Sequence, residues 1–288
     1  MKIAIQGTLG SYHHQAAIEF FTNQNLDLNK LDSFSKVAKS IHTEESEFGI
    51  MAIENSIAGT LLPNYRLITR YNLKIVGEVY LPIHHQFMVH PEADWESITE
   101  VHSHPMALLQ CDKFLEKNSH FKIFESSDTA STAKLIADKN LKNIGAIASK
   151  LSAEIYGLKI LQPDIQNIYK NSTRFFVLKK NASAPDSFSK VSLKFSTSHE
   201  KGALVNVLNE ISNLDINMKK IQSVPIVDEP WQYAFHVDLE LDFDRKLELL
   251  LERIRPKTTS LEILGCYQNA VDPIVDVKAY PTSLETIN

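Results

Sequence analysis

The chain has 288 residues, of which 43% are hydrophobic and 23% are charged, and its formal net charge is −5. This composition is typical of a globular protein with a sizeable core, and the length favours two domains of unequal size. The basic residues are scattered along a net acidic chain, which argues against nucleic acid and anionic membranes as partners. Two distant cysteines, an opening segment that already reads as a strand and no apolar run of membrane-spanning length predict a cytoplasmic protein.

The first part of the chain predicts a strand, a glycine-rich turn and a helix. Residues 2–6 alternate as a short buried strand, and the segment from Gly7 to Tyr12 follows with two glycines and two hydroxyl groups. Apolar residues then recur at helical spacing through Ala16, Ala17, Phe20 and Phe21. Unpaired amides at a helix N-terminus bind anions. Because neither GxGxxG nor GxxxxGK[ST] is present, a carboxylate is a fair alternative ligand to a nucleotide.

A second polar junction follows the continuous apolar strand over residues 49–53, which is typical of a parallel sheet buried on both faces. The strand stops at Glu54, Asn55 and Ser56, and polar groups in that position lie at the carboxyl edge of the sheet. Asn55 or Ser56 can instead simply cap a helix over residues 60–71. A cap and a ligand donor can also be the same residue.

Two further strands, over residues 73–80 and 83–90, are predicted to cross into a second lobe. His102 and His104 alternate before Pro105 and can share a face, but no third metal ligand follows at suitable spacing. We therefore predict no metal, and interpret Pro105 as the start of the helix that contains Gln110. Thr129 lies at another junction of the same kind, where a strand ends and a helix begins.

The segment from Asn171 to Leu178 is a polar turn that enters a strand-forming run. It presents a hydroxyl (Thr173), a guanidinium (Arg174) and an aromatic ring (Phe175) at the mouth of a sheet; an ordinary loop-to-strand junction is the alternative. Strands and helices alternate up to about residue 180, and four or five strand ends carry small polar residues. This pattern predicts two α/β lobes with a cleft suited to a small organic anion.

The polar segment over residues 180–187 contains a proline and is predicted to be a linker. Beyond it the pattern changes to strand, helix, strand, strand, helix and strand, which is the ferredoxin-like βαββαβ order. The predicted bounds of these elements are 189–197, 201–213, 217–226, 231–242, 244–254 and 258–268. We therefore expect a two-lobed first domain over residues 1–180, a second domain over 188–270 and a tail over 271–288 with no usable period.

These junctions resemble, in content and in order, the motifs of the prephenate dehydratase family, and the resemblance covers nearly the whole chain. The matching segments are Ile5–Tyr12, Ala52–Gly59 (P-I-E-N-S-x-x-G in the family), Ser103–Pro105 with Gln110-Cys111, Asp128–Ala130, Tyr156–Leu158, Thr173–Phe175 (T-R-F) and Gly202–Val205 (G-A-L-V). The resemblance implies a periplasmic-binding-protein-like catalytic domain followed by an ACT regulatory domain. The chain departs from the family at His13, where a hydroxyl is usual, and at Gln222 and Val224, where the E-S-R-P motif has Glu and Arg.

The resemblance implies conversion of prephenate to phenylpyruvate with loss of carbon dioxide and water, without a redox or metal cofactor. Thr173 is expected to donate a hydrogen bond to the departing hydroxide and Phe175 to pack against the ring. Arg174 either neutralises a substrate carboxylate or pairs with an acid to hold the lobe in place. The expected substrate-binding residues are Asn55, Ser56, Ser103, Gln110, Thr129, Arg174 and Phe175.

The ACT resemblance implies inhibition by phenylalanine at an interface shared by a homodimer or homotetramer. The expected effector-binding residues are Gly202, Ala203, Leu204, Val205, Asn217, Met218 and Ser223. The domain can instead serve only to dimerise the chain. Two other functions stay open: dehydration of arogenate, for which Glu54 is the one motif acid positioned to meet an amine, and a non-catalytic regulator that binds small molecules.

Overall fold

The structure is a computed structural model, and it describes residues 1–22, 24–226, 229–241 and 244–273. In this part of the chain we number fifteen strands and nine α-helices. The strands are β1 (Lys2–Gln6), β2 (Asp27–Leu31), β3 (Phe48–Asn55), β4 (Gly59–Thr60), β5 (Lys74–Pro82), β6 (Gln86–Val89), β7 (Glu100–Ser103), β8 (Lys122–Glu125), β9 (Ile144–Ala148), β10 (Lys159–Gln162), β11 (Ser172–Lys179), β12 (Lys190–Ser196), β13 (Asn217–Pro225), β14 (Tyr233–Glu240) and β15 (Ser260–Tyr267).

The helices are α1 (Tyr12–Phe20), α2 (Phe34–His42), α3 (Leu62–Arg70), α4 (Pro105–Gln110), α5 (Asp112–Lys117), α6 (Thr129–Lys139), α7 (Lys150–Tyr156), α8 (Ala203–Asn213) and α9 (Asp244–Ile254). Short polar side chains fix several of their starts. Ser11, Asp128 and Ser149 each accept a hydrogen bond from a first-turn amide of α1, α6 and α7. The predicted helix start at Pro105 is confirmed.

The first lobe is built on a sheet with the strand order β2-β1-β3-β11-β5, with β4 paired to β3. β11 runs antiparallel to both of its neighbours, so the chain returns to this sheet after building the second lobe. The second sheet has the order β10-β6-β9-β7-β8. The chain passes between the lobes at residues 83–85 and 163–171. The predicted mixed α/β class is therefore confirmed.

The third sheet has the order β13-β14-β12-β15, and α8 and α9 cover one of its faces. Its elements follow the predicted order of strand, helix, strand, strand, helix and strand. The other face packs against the first lobe, where Val224, Leu264 and Tyr267 share a core with residues of α3 and β5. The contact is close, because a Cβ at Gly265 would lie 2.0 Å from the carbonyl oxygen of Ile75.

One alternative for Asn55 and Ser56 is wrong, because neither residue caps α3. The short strand β4 separates them from the helix, which begins at Leu62 after Leu61 and has no side-chain cap. The Oδ1 atom of Asn55 instead accepts hydrogen bonds from the amides of Ile57 and Ala58.

Among the described residues, no helix combines the length and apolarity needed to cross a bilayer. Most of the predicted tail, residues 274–288, lies outside the part of the chain that the structure describes.

Candidate active site

A cleft of about 420 Å³ lies between the first and second lobes and receives side chains from both. Its polar lining consists of neutral donors, imidazoles and one carboxylate, and neither lysine nor arginine is among the described residues that line it. The lining residues are Gln6, Ser11, Tyr12, His13, Phe34, Ala52, Asn55, Ala58, Leu61, Ile83, His85, His104, Met106, Ala107, Gln110, Asp128, Thr129, Thr173 and Phe175. Such a lining binds an anion by hydrogen bonds rather than by ion pairing.

Asn55 and Thr173 meet where β3 and β11 end at the cleft. The Nδ2 group of Asn55 donates to Thr173 Oγ1 at 2.9 Å, and it also contacts Asn171 Oδ1 at 2.7 Å. Because two backbone amides already bind Oδ1 of Asn55, the orientation of its amide is fixed. Thr173 therefore uses its oxygen as an acceptor, and its own hydroxyl proton is left to donate into the cleft.

The side-chain amides of Asn55, Asn171 and Gln110 form a hydrogen-bonded chain that ends at His85 and fixes which ring nitrogen carries its proton. Asn171 donates through Nδ2 to Gln110 Oε1 at 3.1 Å, which makes that oxygen an acceptor. The Nε2 atom of His85 lies 2.9 Å from the same oxygen, so we assign its proton to Nε2. Burial lowers the pKa of His85 to about 4. The imidazole is therefore neutral at physiological pH and adds no positive charge to the cleft.

Aromatic rings form the apolar wall beside Thr173. The ring of His13 packs edge-on against Phe175, with 5.1 Å between centroids, and lies 5.4 Å from Phe34. His13 is 9% exposed, its Nε2 atom has no hydrogen-bond partner among the described residues, and burial lowers its pKa to about 3. His13, which stands where the family usually has a hydroxyl residue, therefore acts as a neutral, largely apolar ring.

The glycine-rich turn of the first lobe is clamped by α7 of the second. The hydroxyl of Ser149 donates to the carbonyl oxygen of Gly10 at 2.6 Å, and Ser152 donates to the same oxygen at 3.0 Å. Tyr156 donates to the carbonyl of Leu9 at 2.9 Å. These bonds cross from one lobe to the other, so they hold the cleft in a closed form.

Asp128 supplies the carboxylate of the cleft. Its Oδ1 atom accepts from the amides of Ala130 and Ser131 at 2.8 Å each, and Thr129 begins α6 beside it. The side chain caps the helix and at the same time borders the cleft. Glu54, the acid expected to meet an amine, does not line the cleft and pairs instead with Lys220 at 2.6 Å.

The structure brings five of the expected site residues to the cleft and leaves three outside it. Those that line it are Asn55, Gln110, Thr129, Thr173 and Phe175. Ser56 is used by the backbone, since its Oγ accepts from the amide of Ser172 at 3.0 Å. Ser103 is fully buried and donates to the carbonyl of Ile147 at 2.6 Å. The expected convergence of all the junction residues on one cleft is therefore only partial.

Arg174 lies on the face of β11 opposite the cleft and is 3% exposed. It binds Glu78 through Nε at 2.7 Å and through Nη2 at 2.6 Å, and it binds Asp238 of the third sheet through Nη1. Of the two roles left open for Arg174, these contacts favour pairing with acids. Successive residues of a strand face opposite sides, so Thr173 and Arg174 cannot both reach the cleft.

The residues missed in the sequence include His85, which lines the cleft, and Asn171, which binds Asn55 and Gln110. His85 follows β5 at the crossing between lobes, and Asn171 opens the turn before β11. A signal for Asn171 was present, because it belongs to the same polar turn as Thr173. His85 carried none, since its role depends on a contact with Gln110 made across 25 residues of chain.

The expected effector residues lie on α8 and β13, and they are not all adjacent, because Gly202 precedes α8 whereas Asn217 begins β13 after the other end of the helix. Gly202 is the N-cap of α8 with a φ of +83°, and the amide of Ala203 after it already donates to the carbonyl oxygen of Glu200 at 3.2 Å. Val205 is 55% exposed, and the Nδ2 group of Asn217 donates to Glu240 at 2.7 Å. Met218 packs at the edge of the domain core, and Ser223 is exposed on the edge strand β13.

Groups of three or more His, Cys, Asp or Glu side chains placed to hold a metal ion do not occur in the part of the chain that the structure describes. His102 contacts Glu100 at 3.0 Å, while His104 accepts from the amide of Met106 at the start of α4.

The fold and the cleft define a two-lobed α/β protein with a ligand-sized site between its lobes. The sequence model of the family described as prephenate dehydratase matches residues 3–183. The bifunctional chorismate mutase/prephenate dehydratase of Buchnera aphidicola is 33% identical over 276 residues, which are 93% of this chain and 71% of that protein. The chain belongs to the prephenate dehydratase family.

Another relative by sequence and two solved structures are also similar to this chain. The chloroplastic arogenate dehydratase/prephenate dehydratase 6 of Arabidopsis thaliana is 34% identical over 293 residues, covering 95% of this chain and 70% of that protein. A structure described as GqqA, a novel type of quorum quenching acylase, superposes with a TM-score of 0.83 at 25% identity over 93% of this chain and 97% of that one. The prephenate dehydratase of Arthrobacter aurescens in complex with L-Phe gives 0.82 at 20% identity, covering 94% and 91%.

Proposed function

We propose that this protein converts prephenate to phenylpyruvate, carbon dioxide and water in phenylalanine biosynthesis, and that it acts in the cytoplasm. The observation that carries the proposal is the donor arrangement at Thr173. Since Asn55 donates to the threonine oxygen, the threonine proton is free to bind the hydroxyl that leaves the substrate ring. Family membership and the closed cleft support the same reaction.

The reaction needs no oxidant, because the electron pair of a bond that breaks in the substrate forms a new bond within the same molecule. The bond between the ring and its carboxylate breaks, its electron pair enters the ring, and the bond to the ring hydroxyl breaks as the ring becomes aromatic. The hydroxide leaves as water once it has gained a proton, which Thr173 delivers by relaying one from water. A threonine is too weak an acid to remain ionised, so its contribution is a hydrogen bond that strengthens as charge develops on the leaving oxygen.

The rest of the cleft binds the dianion without quenching its reactivity. Neutral donors from Gln110 and Thr129 hold the carboxylates, Asn55 orients Thr173, and Phe175 with His13 packs against the ring. An apolar wall that carries no cation leaves the ring carboxylate less hydrated, which favours loss of carbon dioxide. The test is incubation of the purified protein with prephenate, followed by the ultraviolet absorbance of phenylpyruvate. No product would refute the proposal.

Arogenate dehydration is the second candidate, and Asp128 is the observation that favours it. Arogenate carries an ammonium group where prephenate has a keto oxygen, and the Asp128 carboxylate borders the cleft. The relative from Arabidopsis carries both activities in its name. The ratio of kcat/KM for arogenate to kcat/KM for prephenate decides between the two functions. If arogenate is the better substrate, Asp128→Asn should lower that ratio, and the same variant should leave prephenate turnover less affected.

The C-terminal segment is proposed to be an ACT domain of ferredoxin-like fold, spanning about residues 188–270, that binds phenylalanine and inhibits the enzyme. The amide of Ala203 donates to Glu200, and the first-turn amides of α8 that follow it suit a carboxylate. β13 is an edge strand and Ile221 on it is 41% exposed, which supports pairing of two such sheets in a homodimer or homotetramer. Calorimetric titration with phenylalanine tests this. Absence of heat and of inhibition at millimolar concentration would leave the domain with a dimerising role only.

A further inference from the structure

Four buried charges connect the third sheet to the first lobe directly behind the cleft. Arg174 binds Glu78 of β5 and Asp238 of β14, and Lys190 of β12 binds the second oxygen of Glu78 at 2.8 Å. Each of these four residues is 3% exposed or less. Two cations therefore balance two carboxylates, and Ser192 satisfies the remaining oxygen of Asp238 at 2.5 Å.

Burial is the largest single influence and raises the pKa of Asp238, but Arg174, the hydrogen bond from Ser192 and the charge of Lys190 together keep the pKa below its ordinary value. The carboxylate is therefore charged in the folded protein. A buried charge that loses its partner is costly, so this pair fixes the position of Arg174 against the third sheet.

A second ion pair joins the same two parts of the molecule at the neighbouring strand. Lys220 of β13 donates to Glu54 Oε1 at 2.6 Å and to Thr60 Oγ1 at 2.8 Å. In the register of β11 on β3, Thr173 lies opposite Asn55 and Arg174 lies opposite Glu54. Arg174 and Glu54 contact the third sheet. Their immediate chain neighbours, Thr173 and Asn55, face the cleft.

We propose that Asp238 and Lys220 are positioning residues of the active site, which act through Arg174 and Glu54 to hold the ends of β11 and β3 so that Thr173 and Asn55 meet. This inference rests on the proposed function and extends it: the C-terminal domain is part of the catalytic framework, and any ligand that shifts its sheet changes turnover. The physical reason is that transition-state hydrogen bonds tolerate little displacement, and about 1 Å can cost on the order of 10²-fold in rate.

The Lys220–Glu54 pair provides the decisive test, because Lys220 is 10% and Glu54 is 35% exposed and the variants are expected to fold. Lys220→Met and Glu54→Gln should each lower kcat by at least about fivefold, with KM within about twofold of wild type. The double variant should lose no more than either single variant, since each removes the same ion pair. Asp238→Asn serves only as a supporting variant, because it leaves Arg174 undercompensated and can fail to fold.

The chain offers a matched control on the same two strands. Lys179 of β11 binds Glu47, which precedes β3, at 3.2 Å, and this pair lies at the strand ends away from the cleft. Lys179→Met should leave kcat unchanged. Equal kcat for Lys220→Met and Lys179→Met, at matched unfolding midpoints, would overturn the proposal.

Hydrogen exchange gives a readout that does not depend on turnover. In Lys220→Met, amides over residues 54–58 and also over 172–176 should exchange faster, although Lys220 does not contact the second segment. Faster exchange at residues 54–58 alone would also overturn the proposal. A wild-type protein that fails to convert prephenate refutes the proposed function, whereas the exchange experiment still decides whether the third sheet holds both strand ends.

Discussion

The Nδ2 atom of Asn55 lies 2.9 Å from Oγ1 of Thr173, across 118 residues of sequence. The contact exists because β11 returns antiparallel beside β3, so that two strand ends separated by the whole second lobe become direct neighbours. It determines which way the threonine hydroxyl donates. The chemistry proposed for the cleft depends on that direction.

Replacing Thr173 tests the donor itself. Thr173→Ala should lower kcat by about 10²-fold, the usual cost of removing one preorganised donor to a developing oxyanion. Thr173→Ser keeps the hydroxyl and should retain most of the activity. Steady-state kinetics with prephenate measures both, and circular dichroism verifies the fold. An alanine variant with near-wild-type kcat would remove Thr173 from the mechanism.

Replacing Asn55 tests the direction of donation. Asn55→Asp keeps the size of the side chain but substitutes a carboxylate oxygen for the NH2 group that contacts Asn171, Ser172 and Thr173. The oxygens of Asn171 and Ser172 would then face another acceptor, and the Thr173 hydroxyl would turn to donate to the carboxylate instead of into the cleft. We therefore expect kcat to fall by about tenfold or more and the free energy of unfolding by ~1–3 kcal/mol. Urea unfolding and kinetics on the same preparation give both numbers. An aspartate variant as active and as stable as wild type contradicts the assigned network.

Much of the site followed from one sequence rule, that polar residues after buried strands lie at the edge of a sheet. The rule located Asn55 and Thr129, while Thr173 was located by the polar turn that enters β11. It did not resolve which face of the strand each neighbour takes, so Arg174 was left between two roles. Its partners Glu78 and Asp238 lie 96 and 64 residues away, and only the folded register shows them. Ser103 illustrates the same limit, because its bond to Ile147 crosses between adjacent strands.

The fold of the C-terminal segment was easier to predict than its contacts. Alternating and helical periods locate its six elements within a few residues, because those patterns reflect local geometry. The close approach at Gly265 carried no local signal, since it depends on the backbone of Ile75 in another domain. Local periodicity thus identifies elements, and long-range packing places them.

Closure of the lobes gives a third prediction, at Gly10. This residue has a φ of +85°, and a Cβ there would lie 2.6 Å from Ser152 Oγ and 2.8 Å from its Cα. Gly10→Ala should push α7 away and weaken closure, so kcat/KM with prephenate should fall by about tenfold or more. Gly157→Ala is the matched control, because Gly157 also has a positive φ, +63°, but its Cβ would meet nothing within 4 Å. Similar losses in both variants would show that backbone strain, not lobe contact, is responsible.

The pH dependence of stability gives the last prediction, which concerns His13. Burial lowers its pKa from 6.5 to about 3, so between these values the unfolded chain binds a proton that the folded chain does not. The contribution of His13 to the free energy of unfolding is therefore constant above pH 6.5. It decreases as the pH falls below 6.5, by ~1.4 kcal/mol per pH unit. His13→Gln should therefore reduce the slope of the free energy of unfolding against pH by about that amount between pH 6.5 and about pH 5. Urea unfolding at several pH values measures the slope, and His120→Gln, at an exposed position, is the control. Parallel curves for wild type and His13→Gln would show that His13 takes up its proton in the folded protein as readily as in the unfolded chain.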